Sequence, residues 1–181
     1  MLKLIGGFVA GIFVTALLGW NLGGDLMFKE ISSPFGMEET VARIQQNIEA
    51  TGNGWSLSGL RNPGKAVEAD GGNTLPVMMI EACSTKYSGP ILKEDTVRFL
   101  SILMPCKISV YKKNDGKVYI GKMNAALLGP MFGPLVGDIM KKVAADQEKF
   151  LTFDPSKPAP PMILPKASSG GGAAGGGGGG C

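Results

Sequence analysis

Three cysteines, Cys83, Cys106 and Cys181, are the side chains of this sequence best equipped for chemistry, and their spacing narrows what that chemistry can be. None sits in a CxxC or CxxCH pattern, so neither a dithiol redox motif nor a haem attachment site is encoded. The 181-residue chain has no histidine at all. That removes the commonest general base, the Ser–His and Cys–His nucleophile pairs, and the usual zinc and haem ligands. A phosphate-binding loop of the GxxxxGKS/T type and the GxSxG nucleophile elbow are also absent. No catalytic residue is assigned, and binding is expected rather than catalysis.

Cys83 ends a strongly apolar segment that reads as a strand, and Cys106 opens the next strand after a helical connection. If those strands pair antiparallel, both thiols lie at the same end of one sheet. Three chemistries fit. A structural disulfide needs Cα atoms about 4.4–6.8 Å apart and an oxidising compartment. Two separate buried thiols would behave as small hydrophobes. A redox or sulfur-relay pair would need a cation such as Lys86 or Lys107 to lower a thiol pKa.

Met104 and Met123 join Cys83 and Cys106 as a candidate soft-ligand set, since thioether and thiolate together suit Cu(I) without imidazole. Methionine is equally ordinary core filler. Met78 and Met79, adjacent on a strand, point to opposite faces and cannot both serve one site. Cys181 is terminal, so it does not fit the C-a-a-X prenylation pattern. The residues from Thr152 onward would reach roughly 30 Å as a flexible coil, enough for a carrier thiol on a swinging arm. An inert tail, an intermolecular disulfide and an attachment handle are the bland alternatives.

Lys107, Lys112, Lys113, Lys117 and Lys122 crowd one hairpin, with Tyr111 and Tyr119 between them. Basic residues interleaved with aromatics suit single-stranded nucleic acid or an anionic lipid surface. A solvated edge guarded by lysines against aggregation is the plainer reading. With a net charge of only +3 and an extracytoplasmic location expected, nucleic acid is discarded as a partner.

The elements that must position these residues begin with Leu4–Gly24, 21 residues without a charge. As a helix rising about 1.5 Å per residue, that is roughly the 30 Å of a bilayer core. Leu4, Phe8, Phe13, Leu17 and Trp20 would face lipid. Val14-Thr15-Ala16 resembles a signal-peptidase site, but the apolar run continues past it, so an uncleaved anchor is expected. Lys3 and the amino terminus favour an N-in orientation, which places the bulk of the chain outside the inner (cytoplasmic) membrane. Two GxxxG spacings, Gly7–Gly11 and Gly19–Gly23, permit helix pairing. The domain plan is an anchor over 1–26, an α+β domain over 27–151, and a tail over 152–181 that is Pro-rich and then Gly-rich.

Within the domain, a strand is expected over Met27–Ser33 and a helix over Met37–Thr51, with Val41, Ile44 and Ile48 as its buried stripe. Strands follow at Trp55–Leu60 and Leu75–Cys83, separated by a helical turn over Lys65–Asp70. Ser84–Pro90 reads as a loop and Lys93–Leu103 as a helix stopped before Pro105. Asn114-Asp115-Gly116 turns a hairpin between Lys107–Lys112 and Lys117–Lys122, with Ile108, Val110, Val118 and Ile120 on the buried face. A last helix is expected over Met131–Phe150, with Leu135, Ile139, Val143 and Phe150 inward. Strands and helices are mixed around an antiparallel connection, hence α+β.

The element order, the Met104-Pro105-Cys106 entry to the hairpin and the run Asp115-Gly116-Lys117-Val118-Tyr119-Ile120 resemble the domain-of-unknown-function family 302, DUF302. The resemblance covers about Phe28 to Leu151. It implies a β-α-β(4)-α domain with an antiparallel sheet packed by helices, often dimeric. The chain departs from the commoner pattern in carrying Cys83-Ser84 where members often have Asn-Pro, and in Cys106 directly after the proline. No established reaction accompanies the family, so the resemblance implies a fold and no catalytic residues. The function expected is that of a membrane-anchored domain binding a small ligand or a partner subunit, as a homodimer or as part of a membrane complex. A thiol relay through Cys83 and Cys106, with Cys181 as carrier, and a purely structural subunit are the alternatives.

Overall fold

Alternating apolar residues build the centre of the molecule. In the computed structural model, which describes residues 23–164 together with Gly11 and Gly19, five strands form one antiparallel sheet. They are β1 (Phe28–Ser32), β2 (Trp55–Arg61), β3 (Val77–Ser84), β4 (Cys106–Lys112) and β5 (Val118–Met123), in the order β1-β5-β4-β3-β2. The register pairs Val110 with Ile120 and Ile80 with Ile108, so these side chains share one face and are fully buried there. Gly116, at φ 78°, supplies the left-handed residue that the β4–β5 turn requires. Lysine-bearing β4 and β5 are central strands, so the guarded-edge reading fails: the edges are β1 and β2.

Helices α1 (Met37–Thr51) and α5 (Pro134–Phe150) cover that apolar face. Val41, Ile44 and Ile48 of α1 are completely buried, each worth about 1.5–3 kcal/mol relative to exposure. Glu38 and Glu39 sit in the first turn of α1, where the helix dipole favours acids. Between β2 and β3 lies α2 (Pro63–Ala69), opened by Pro63 and capped by the Asn62 side chain, which accepts from the Lys65 N–H at 3.1 Å.

Three expectations are corrected. Ser84–Pro90 is not a loop: Thr85–Lys93 forms helix α3, with Pro90 inside it. Tyr87 and Ile91, one turn apart, both pack on the core, and that burial outweighs the proline. The helix expected over Lys93–Leu103 is reduced to a 3-10 turn at Arg98–Leu103, because Glu94 is extended. Met131 does not begin the last helix. A short helix α4 (Ala125–Leu128) and a 3-10 turn (Gly129–Phe132) come first, and α5 starts at Pro134. Leu135 is exposed, since Val136, Ile139, Met140 and Val143 take the buried stripe.

The Pro-rich segment after Thr152 lies against α1. The Arg43 guanidinium donates to the carbonyls of Asp154 (3.1 Å) and Lys157 (2.7 Å), and Gln45 exchanges two hydrogen bonds with the backbone of Ile163. Phe153 packs edge-on against Phe35. Among the described residues no helix is long and apolar enough to cross a membrane. Nearly all of the expected anchor, including Leu4, Phe8, Phe13, Leu17 and Trp20, and the Gly-rich tail with Cys181 lie outside the described residues.

Candidate ligand cavity

Antiparallel pairing gives the sheet two unlike ends. One carries Phe28, Trp55, Ser84, Cys106 and Met123; the other carries Ser32, Arg61, Val77, Lys112, Val118 and the hairpin turn. At the first end the helices do not close completely on the sheet. A cavity of about 60 Å³ remains between β3, β4 and α5, bordered also by α3, by the turn at Arg98–Leu103 and by Met104. Its walls are aliphatic, aromatic and sulfur-bearing: Ala82, Leu100, Phe132, Val136, Ile139 and Val143, with Met104, Cys106, Met123 and Met140 among them. An apolar cavity of about 150 Å³ accepts benzene and stays dry. This smaller one suits a slender apolar group.

The site places the predicted residues unequally. Cys106 pairs in register with Ala82, so its thiol faces the helices and the cavity. Cys83 is one residue further along β3, and strand alternation sends its side chain to the opposite face, where its register partner is Ser56. The two cysteines do share an end of the sheet, as expected, but not a face. Cys106 is a free thiol, so the Cys83–Cys106 bridge is not formed. Burial pushes the Cys106 thiol up to about 11, with Lys107 only partly opposing it, because alternation turns Lys107 to the outer face. Lys107 reaches its neighbour Pro105 O at 3.4 Å, and Lys86 donates to Asn53 Oδ1 at 3.0 Å. The activated, low-pKa pair that a relay requires is not what the strand register assembles.

Met104, Cys106, Met123 and Met140 are the side chains that could offer sulfur to a soft metal; Cys83 borders the cavity but is disulfide-bonded and so offers no thiolate. Among the described residues no group of three or more Cys, Asp or Glu side chains converges as ligands.

One polar cluster at this end was not anticipated. Asp146, buried on α5, accepts from Asn53 Nδ2 (3.0 Å), Trp55 Nε1 (3.0 Å), the Tyr87 hydroxyl (2.9 Å) and Lys149 Nζ (2.6 Å). Burial alone would raise its pKa, but these four donors outweigh it and hold the carboxyl down at about 2. Trp55 and Tyr87 both border the cavity, so the Asp146 network fixes part of its wall. A signal was available. Asp146 lies three residues after Val143 and four before Phe150, on the buried stripe of α5.

The hairpin end is built differently. Tyr111 and Tyr119 stack at 6.2 Å on the outer face; Tyr111 donates to Glu30, Tyr119 to Asp115 at 2.7 Å, and Lys113 pairs with Glu30 at 2.5 Å. Lys113 and Tyr119 also face each other at 4.3 Å. Of the other hairpin lysines, Lys122 is buried and paired with Glu148 at 2.8 Å.

Residues 29–152 match the family described as "Domain of unknown function DUF302". The chain belongs to the DUF302 family. A solved structure, the uncharacterized conserved DUF302 protein from Bacillus stearothermophilus, superposes with a TM-score of 0.61 at 21% identity, covering 70% of this chain and 96% of that one. At that identity the likeness concerns the fold. None of the curated proteins matches. The cavity and the Asp146 network fall within the DUF302 region, whereas the strap over residues 153–164 lies beyond it.

Proposed function

We propose that this DUF302 domain is a membrane-tethered binding protein that holds a small apolar ligand, without chemistry, in the cavity between β3, β4 and α5. The observation that carries the reading is the cavity itself: an apolar space of about 60 Å³ at one end of the core. Protein interiors are close-packed, and an apolar void costs stability in proportion to its volume, so an apolar ligand that fills this one would recover that cost. The uncharged stretch Leu4–Gly24, with Lys3 before it, supports the tether and the extracytoplasmic placement of the domain.

The thiol-relay reading loses support at Cys106. A thiol held at about 11 is protonated at neutral pH, and only the thiolate attacks or is transferred to.

The test compares organic extracts of the full chain, purified in lipid nanodiscs, with those of Ala82→Leu, which fills the cavity. Mass spectrometry should find an apolar compound enriched in the wild-type extract and missing from the variant. Identical extracts would contradict the proposal.

A further inference from the structure

Large apolar side chains stand in solvent where the chain leaves the cavity end of the sheet. Phe28 is 62% exposed, Phe99 61%, Ile102 80% and Met131 69%. Phe99 and Ile102 belong to the turn that precedes Cys106, the first residue of β4; Met131 belongs to the turns that follow Met123, the last residue of β5. Phe28 opens β1 opposite Met123. At the other end of the sheet Lys112, Lys113, Asn114, Asp115 and Lys117 are exposed, and the apolar groups there are less so, with Ile31 at 39%, Leu75 at 44% and Val67 at 45%. Grouped exposed apolar residues of this size mark an interaction surface.

The path of the chain identifies the partner. Asn124 pins the incoming segment to this same end, its side-chain amide donating to Leu26 O at 2.9 Å and its backbone N–H to Met27 O at 2.8 Å. The uncharged stretch Leu4–Gly24 finishes immediately before those residues. A span that stops there leaves no linker, so the collar of Phe28, Phe99, Ile102 and Met131 must meet whatever the span is embedded in. We propose that this collar rests on the surface of a phospholipid bilayer, with the hairpin pointing away. The seven residues of β4, at about 3.3 Å each, set the hairpin turn ~20 Å from the collar.

The orientation bears on the ligand. A groove of about 370 Å³ bordered by Phe28, Ile102 and Lys107 shares Leu103, Cys106 and Met123 with the cavity. Those shared residues form a common wall between the collar and the cavity, and Lys107 lies where a lipid phosphate would be. This deepens the proposed function and rests on its tether.

Tryptophan emission in vesicles of phosphatidylcholine and phosphatidylglycerol, with and without bromine on the acyl chains, tests it on the full chain. Ile102→Trp places a reporter on the collar, and Asn114→Trp places one on the hairpin turn; both positions are exposed, so neither change enters the core. The emission added by Ile102→Trp should fall at least twofold with brominated lipid, and that added by Asn114→Trp should not change. Equal quenching of the two, or none in either, overturns the collar. Wild-type emission judges the tether separately, through Trp20 in the uncharged stretch: if it is not quenched the tether fails, while the difference between the two variants still decides the collar.

Discussion

The two ends of the DUF302 sheet solve the same strand-pairing problem with opposite chemistry. At the hairpin end the charges find partners: Glu30 takes Tyr111 and Lys113, Asp115 takes Tyr119, and the two phenols stack. At the cavity end the core stops short of filling its space, apolar side chains face outward, and the strongest polar network is drawn inside around Asp146. A lysine- and tyrosine-rich hairpin attracts attention in the sequence, yet it is the self-satisfied end. The end with unmet packing and unmet apolar surface is where a ligand gains most.

If the Asp146 network holds the cavity wall, removing it should have the largest effect. Asp146→Ala strands the buried Trp55 and Asn53 donors and the Tyr87 hydroxyl, and should lower the unfolding free energy by at least about 3 kcal/mol in urea titrations. The wild type should show the matching pH dependence. A carboxyl lowered from 3.8 to about 2 contributes stability that is present above pH 4 and lost as pH falls through 2, about 2 kcal/mol in all. An Asp146→Ala protein whose stability keeps that acid dependence would assign it elsewhere.

Cys106→Ser sharpens the contrast at a smaller scale. A hydroxyl in that apolar wall should cost about 1–2 kcal/mol. In the wild type, alkylation of Cys106 should be slow at pH 7 and accelerate only as pH approaches about 11. Rapid modification at neutral pH would restore the relay reading.

Ala82→Leu adds carbon to existing space, so its stability should stay within about 1 kcal/mol of wild type by thermal denaturation. A larger loss would mean that the space is not available to a ligand either. The smallest effect belongs to the hairpin end. Burial first, and then the hydrogen bond to Glu30, raise the Tyr111 phenol to about 12. Glu30→Gln should bring that titration down, read by phenolate absorbance, with the melting temperature nearly unchanged because the Glu30 side chain is exposed.

How much of this was legible in the sequence depends on how local the cause was. The hairpin was, since Ile108, Val110, Val118 and Ile120 alternate about a turn that needs Gly116. So was the buried stripe of α1. Helix α3 was hidden because Pro90 reads as a stop, and only the core packing of Tyr87 and Ile91 overrides it. The strap was hidden for a different reason. Its prolines read as a spacer, while its partners Arg43 and Gln45 lie more than a hundred residues away. Cys83 and Cys106 were placed at the right end, but their opposite faces follow from a one-residue register that composition does not specify.

The most direct test of the cavity as a ligand site is xenon-129 NMR of the full chain in lipid nanodiscs, comparing wild type with Ala82→Leu in matched discs. The account predicts a protein-bound xenon resonance in the wild type that the variant lacks, since lipid uptake is common to both. The same spectrum from the two would contradict it.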